Sequence, residues 1–250
     1  MLSWKKETPT FQSFPNFPEE RNSVPAYPKK NKMTWLKTEN FRLTFDDLKK
    51  EIKGSCSVQE RSAIDFCRDW LEGRTIFEFF TSGSSGDPKK IVFSREQLAS
   101  SATTTARALG LQAGYTALVC LDTKYIAGAM MLVRCLVTGM NIIIRTPSAN
   151  PLKGNTDPID FAAFVPYQLV EMLEEDTAAL NAMKVIIIGG AQVDDRTADA
   201  VKGLHPAVYA TYGMTETATH VALRRLNGPD PQSWFQLLPG VGASVDSRGC

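Results

Sequence analysis

Ile76-Phe77-Glu78-Phe79-Phe80-Thr81-Ser82-Gly83-Ser84-Ser85-Gly86-Asp87-Pro88-Lys89-Lys90 carries an apolar run straight into a loop of small hydroxylated residues and glycines, then two lysines. Ile76–Phe80 reads as a strand, and the loop after it has the chemistry of an anion cradle. Glycines let backbone N–H groups close around anionic oxygens, Thr and Ser hydroxyls donate further bonds, and lysine adds a charge-assisted contact. That set suits a polyphosphate; a mobile hairpin is the competing reading of the same residues. It is not a Walker A loop, because Pro88 stands where the second glycine of GxxxxGK[ST] is needed and Lys90 replaces the magnesium-holding hydroxyl.

Outward from this turn, strand-like runs lie at Lys90–Phe93, Ala117–Leu121, Ile142–Arg145, Phe161–Val165, Val185–Ile188 and Val208–Thr211. Helical stretches precede it at about 45–53 and 58–72, and helical windows separate most of the strands: Arg95–Leu109, Ala127–Val137, Tyr167–Glu174, Asp195–Lys202 and about Glu216–Arg225. Alternation of this kind, with Val/Ile-rich strands buried on both faces, predicts an α/β fold of mostly parallel sheets flanked by helices. Ser94 with Gln97 three residues on is a capping box. Asp194 and Asp195 suit a helix start, where a carboxylate satisfies orphan N–H groups; acid–base work is the weaker alternative. Arg224 and Arg225 fall where the last helical window ends, a place that favours cations.

The 250 residues carry 28 basic and 27 acidic side chains, and so near a balance gives no global field for nucleic acid or an anionic membrane. Any phosphate recognition must be local. The five cysteines (Cys56, Cys67, Cys120, Cys135, Cys250) form no CxxC and read as reduced thiols of a cytoplasmic protein. Two histidines, His205 and His220, are too few for a His-based metal centre or triad. Ile126–Ile144 approaches the length of a membrane span, but a central Arg134 costs about 2.5–3.5 kcal/mol on insertion scales and Gly139-Met140-Asn141 breaks the run. A buried helix, a turn and a strand are predicted there instead, with no membrane span. Residues 1–32, with Pro9, Pro15, Pro18, Pro25 and Pro28 and no signal-peptide h-region, read as a flexible arm ahead of a folded unit at 33–250, with Met33 a possible natural start.

Three ordered motifs carry a resemblance to a known family. Thr81-Ser82-Gly83-Ser84-Ser85-Gly86-Asp87-Pro88-Lys89 is similar to the phosphate loop of the acyl-adenylate-forming (AMP-binding) superfamily. Ala210-Thr211-Tyr212-Gly213-Met214-Thr215-Glu216-Thr217 resembles its Tyr-Gly-x-Thr-Glu signature, and Ile188-Gly189-Gly190-Ala191 its glycine-rich strand end. Within the superfamily, His220-Val221-Ala222-Leu223-Arg224-Arg225-Leu226-Asn227-Gly228, Leu238-Pro239-Gly240-Val241 and Phe164-Val165-Pro166-Tyr167-Gln168 look most like o-succinylbenzoate:CoA ligases of menaquinone biosynthesis. One departure concerns the acyl pocket: Lys124-Tyr125-Ile126-Ala127-Gly128 puts Tyr125 where many of those ligases have a histidine.

The resemblance implies the large N-terminal domain of the adenylate-forming fold and an ATP-dependent activation of a carboxylic acid, followed by transfer to CoA. Thr81, Ser82, Gly83, Ser84, Ser85, Gly86 and Lys89 would cradle the β- and γ-phosphates. Thr215 would bond the α-phosphate, and Glu216 would hold Mg²⁺, which takes one or two carboxylates and completes its shell with phosphate and water. Lys89, Thr215 and Glu216 are thus the catalytic candidates. Tyr212 would stack on adenine, beside Gly213, with Gly189, Gly190 and Ala191 lining the nucleotide site. Tyr125, Gly190, Met214, Thr217 and His220 are the candidates for touching the acid. Taken without the motif, Glu216 is equally a helix-start carboxylate, Tyr212 a half-buried strand aromatic, and His220 a packed or surface residue. Superfamily members continue into a β-structured subdomain and a small C-terminal domain with a lysine used in adenylation, so the chain is expected to be an N-terminal portion, weak or inactive alone. Another acyl- or aryl-CoA ligase or adenylation domain, or a non-catalytic adenylate-binding fragment, fits the same motifs. The sequence does not give the oligomeric state; a homo-oligomer is the common default.

Overall fold

The computed structural model describes residues 35–50, 52, 55–81 and 89–244. In chain order they form β1 (Trp35–Lys37), β2 (Arg42–Thr44), α1 (Phe45–Leu48), α2 (Val58–Leu71), β3 (Ile76–Phe80), β4 (Lys90–Ser94), α3 (Arg95–Ala108), β5 (Thr116–Val119), α4 (Ile126–Thr138) and β6 (Asn141–Ile144). There follow β7 (Phe161–Phe164), α5 (Pro166–Glu175), α6 (Thr177–Asn181), β8 (Val185–Ile188), α7 (Asp195–Ala200), β9 (Ala207–Gly213), β10 (His220–Arg225) and β11 (Gln236–Leu237).

Nine strands make one sheet in the order β11-β10-β9-β8-β7-β5-β6-β1-β2. The run from β9 to β1 is parallel, and β2, β10 and β11 add antiparallel edges. β5, β7 and β8 are buried at every residue, as continuous apolar runs in a parallel sheet require. Strand alternation divides their side chains between two cores: Ala117, Val119, Val185 and Ile187 join the α2–α3–α4 layer, whereas Leu118, Ile186 and Ile188 join Leu169 and Met172 of α5 and Val201 on the other side.

Local chemistry explains where the helices start and stop. Ser57 and Ser94 cap α2 and α3 with reciprocal bonds from Glu60 and Gln97, and Asp194 accepts from the Thr197 N–H at 2.7 Å to start α7. α4 ends at Gly139 in the left-handed conformation (φ 80°), which splits the apolar run that approaches span length. No helix among the described residues is long and apolar enough to cross a membrane. Cys56, Cys67, Cys120 and Cys135 are free thiols, and burial pushes Cys120 and Cys135 up to about 12. Cys250 and the 1–32 arm lie outside the described residues.

Four expectations need correction. The helix at about Glu216–Arg225 is absent: a 3₁₀ turn at Thr215–Thr217 leads into strand β10, so Arg224 and Arg225 end a strand. Val221-Ala222-Leu223 is a short apolar run that suits either state, and the free edge of β9 captures it. β3 and β4 are not in the parallel sheet but pair antiparallel as a separate ribbon. The connection between them is shorter than the roughly dozen residues a parallel crossover needs. The helix expected over 45–53 stops at Leu48, and that over Asp195–Lys202 gives way after Ala200 to a 3₁₀ turn at Val201–Gly203.

Candidate active site

The carboxyl ends of β5, β7, β8 and β9 open onto a cavity of about 430 Å³. Open α/β sheets bind ligands at this end of their strands. Leu121 and Asp122 follow β5, Val165 follows β7, Gly189 and Gly190 follow β8, and Thr211 and Gly213 end β9; Tyr125 and Ile126 at the start of α4 close one side, and Met214, Thr215, Thr219 and His220 another. Gly189 is required by packing, because a Cβ there would overlap the Thr211 hydroxyl, which donates to the Ile188 carbonyl at 3.0 Å. Gly190 takes φ 82°, which a side chain resists. The loop bearing Asp122 and Tyr125 is held from α2: the Gln59 amide donates to the Leu121 carbonyl at 2.8 Å and accepts from the Thr123 N–H at 3.4 Å.

Of the residues singled out by motif, Tyr125, Gly189, Gly190, Gly213, Met214, Thr215 and His220 meet at this cavity. Tyr212, between the cavity-lining Thr211 and Gly213, does not line the cavity itself; it is 52% exposed, with its ring against Phe235 at 5.7 Å between centroids and 53° between planes. A half-exposed aromatic ring is of the kind adenine stacks on. Glu216 is exposed in the 3₁₀ turn. Among the described residues no three His, Cys, Asp or Glu side chains converge as a metal cage. A single carboxylate of this kind fits Mg²⁺ arriving on a nucleotide, with phosphate and water as its other ligands. Ala191 is exposed and does not line the cavity. Nor does Thr217, whose hydroxyl is occupied by the backbone: it accepts from the Met214 N–H at 3.1 Å and its proton faces the Thr219 carbonyl at 2.8 Å. Thr81 and Lys89 close the base of the β3–β4 turn, the Thr81 N–H donating to the Lys89 carbonyl at 3.0 Å and the Lys89 N–H to the Thr81 hydroxyl at 3.1 Å. Ser82, Gly83, Ser84, Ser85 and Gly86 lie outside the described residues.

Arg134 is the site residue that sequence reasoning missed. It projects from the middle of α4 into the cavity wall and is 1% exposed. Its Nη2 donates to Thr219 Oγ1 at 2.7 Å and to His220 Nδ1 at 3.3 Å; Nη1 reaches only the weak acceptor Met131 Sδ at 3.8 Å, and Nε has no partner. No carboxylate pairs with it among the described residues, and burial lowers its pKa to about 10. A guanidinium only donates, so His220 Nδ1 must accept and the ring proton sits on Nε2. Burial and then the Arg134 charge hold the imidazole well below its ordinary range, in the neutral form. The signal was available: an arginine without an acidic neighbour, alone in an otherwise apolar helix.

An α/β sheet with a cavity at the carboxyl ends of its strands is the architecture found, and residues 22–247 match the family described as AMP-binding enzyme, to which the chain belongs. The 2-succinylbenzoate–CoA ligase of Bacillus cytotoxicus is 26% identical over 186 residues, 71% of this chain and 36% of that protein. That of Salmonella typhimurium is 25% identical over 194 residues, 77% of this chain and 42% of the relative. Among solved structures, an acyl-CoA synthetase (AMP-forming)/AMP-acid ligase II-like protein from Dyadobacter fermentans is 42% identical with a TM-score of 0.74, covering 80% of this chain and 58% of that one. O-succinylbenzoate Coenzyme A Synthetase from Bacillus subtilis, solved with ATP and magnesium ion, shares the fold at 23% identity and TM-score 0.55, over 60% of this chain and 32% of its own. The chain spans about a third of the length of the curated relatives it matches first, 36%, 34% and 38%.

Proposed function

We propose that this chain carries the adenylate and acyl sites of an acid:CoA ligase whose substrate is an aromatic acid with a second carboxylate, of the o-succinylbenzoate type. The observation that carries the reading is Arg134: a buried cation with an unpartnered Nε and no counter-charge among the described residues, in the wall of the cavity beside the Tyr-Gly-x-Thr-Glu segment. A buried charge without a pair is costly, and a substrate carboxylate held in the cavity that Arg134 lines supplies a counter-charge to the guanidinium. The Nε2–H of neutral His220 adds a donor for an oxygen of the same acyl group. The names of the curated relatives point to the same acid.

In this reading the reacting carboxylate oxygen attacks the α-phosphorus of ATP, the bond to pyrophosphate breaks, and the acyl-adenylate then passes its acyl group to the CoA thiol with release of AMP. The chain's residues position and neutralise rather than form bonds. Thr215 donates to the α-phosphate, the 81–89 loop and Lys89 take the β- and γ-phosphates, Tyr212 carries adenine, and Glu216 holds the Mg²⁺ that enters with ATP. Mg²⁺ supplies charge neutralisation at the phosphates.

Ligand binding tests this without requiring turnover. A ligand that binds only the native state at about 100 times its Kd stabilises it by roughly 2.7 kcal/mol. A non-hydrolysable o-succinylbenzoyl-adenylate analogue should raise Tm well beyond a benzoyl-adenylate analogue lacking the second carboxylate. Equal shifts would favour a different acid:CoA ligase and remove the role given to Arg134; no shift with either would overturn the adenylate site.

A further inference from the structure

The turn between the Tyr212–Thr217 segment and β10 contains a strained residue. Ala218 has φ 63° and ψ −42°, and among the described residues it alone of the non-glycines has a positive φ. It is also buried, at 4% exposure. A side chain crowds the backbone in that conformation, and such residues persist where the surroundings over-determine them, often at binding sites.

Three contacts show what the bend achieves. The Thr217 hydroxyl spans it, facing the Thr219 carbonyl at 2.8 Å. That carbonyl occupies the space a Cβ on Gly213 would fill, so the returning chain approaches β9 more closely than any other residue at 213 allows. Immediately past the bend, Thr219 Oγ1 at 2.7 Å and His220 Nδ1 at 3.3 Å both accept from one nitrogen, Arg134 Nη2. Consecutive side chains of an extended strand point to opposite faces, so two neighbours reach one atom only because the chain is kinked there, with a register shift running on to Ala222.

We infer that Ala218 is a positioning residue: its strained bend turns Thr219 and His220 together onto Arg134 and so fixes the guanidinium that faces the acyl group. The ligand half of this inference rests on the acyl-site reading; the positioning half does not.

Ala218→Val tests it, because a β-branched side chain resists the positive φ and opposes the bend without removing any side-chain contact to Arg134. The protein has two histidines, so NMR titration of the ligand-free chain separates His220 from His205. The groups around His220 are Arg134 of α4 and, lining the same cavity, Asp122 and Tyr125. In the native chain His220 stays neutral through the ordinary histidine range. In A218V its titration should move up toward that range, with Tm lowered by the opposed bend. The o-succinylbenzoyl-adenylate analogue should bind about tenfold weaker, the scale of one displaced charge-assisted bond, and AMP should change by less than about twofold. Thr217→Val removes the hydroxyl bridge with Ala218 retained and should shift His220 the same way. An unchanged His220 titration in both variants would overturn the inference and leave Ala218 as a plain turn residue. If the native chain fails to bind the analogue, the acyl-site reading falls, and the His220 titration still decides the role of Ala218.

Discussion

Replacing Arg134 by methionine should move stability and ligand discrimination in opposite directions. Burial lowers the Arg134 pKa to about 10, so the native fold carries a cost on the order of 3 kcal/mol at neutral pH to keep the charge. Methionine retains an apolar stem of similar reach in the α4 layer and removes that cost. Against this stands the loss of the 2.7 Å bond to Thr219, worth about 1.5–3 kcal/mol for a charged donor. The net is a chain no less stable than the original, with a gain of roughly 0–1.5 kcal/mol, or about 0–6 °C in Tm for a domain of this size. For a ligand whose second carboxylate pairs with the guanidinium, removing one partner of a buried charge pair costs about 2–5 kcal/mol, roughly thirtyfold to several thousandfold in Kd. Thermal melts of R134M, with calorimetric titration of the o-succinylbenzoyl- and benzoyl-adenylate analogues, read both quantities. An R134M that melts far below the native chain while keeping the affinity ratio of the two ligands would refute the reasoning, since Arg134 would then be a structural cation.

Three further outcomes are expected. Glu216→Gln should weaken Mg²⁺-dependent ATP binding about tenfold or more, while AMP binding without the metal and Tm stay within about 0.5 kcal/mol, because the carboxylate is exposed and its role is at the ion. Gly213→Ala should destabilise by about 1–3 kcal/mol, since the new methyl meets the Thr219 backbone carbonyl, whereas Gly203→Ala, whose Cβ meets nothing, should leave the melt nearly unchanged. The native state excludes the proton from His220, so below the ordinary histidine value of about 6.5 the unfolded chain binds more protons and stability falls with pH. His220→Gln should remove that part of the decline, measured as Tm against pH from 8 to 5; an identical slope would show that His220 is not held neutral.

Strongly periodic or capped segments were legible from the residues alone. Val185–Ile188 is a strand with those bounds, and Ser94 with Gln97 starts α3, because an all-buried β run and a reciprocal cap are each decided locally. β10 was not legible, since Val221-Ala222-Leu223 has no period of its own and the edge of β9 decides it. The antiparallel β3–β4 pair was within reach of a length argument about the connection, but the general alternation hid it. At the site, the glycine and Tyr-Gly-x-Thr-Glu motifs led to the cavity because each sits at a strand end facing it. Phe235 and Gln59 act across long sequence separations, Phe235 on Tyr212 and Gln59 on Leu121, and nothing in their own neighbourhood marks them. Arg134 is different: a lone arginine in an apolar helix argues against membrane insertion and equally marks a cation whose partners, Thr219 and His220, lie far along the chain.

The most direct test of the account is calorimetric titration of the chain with the o-succinylbenzoyl-adenylate analogue, alongside AMP and the benzoyl-adenylate analogue. Micromolar or tighter binding, roughly −8 kcal/mol or better, with both controls at least about tenfold weaker, is the predicted result. Equally weak binding of all three ligands would contradict it, because the cavity would then read neither the acyl group nor its second carboxylate.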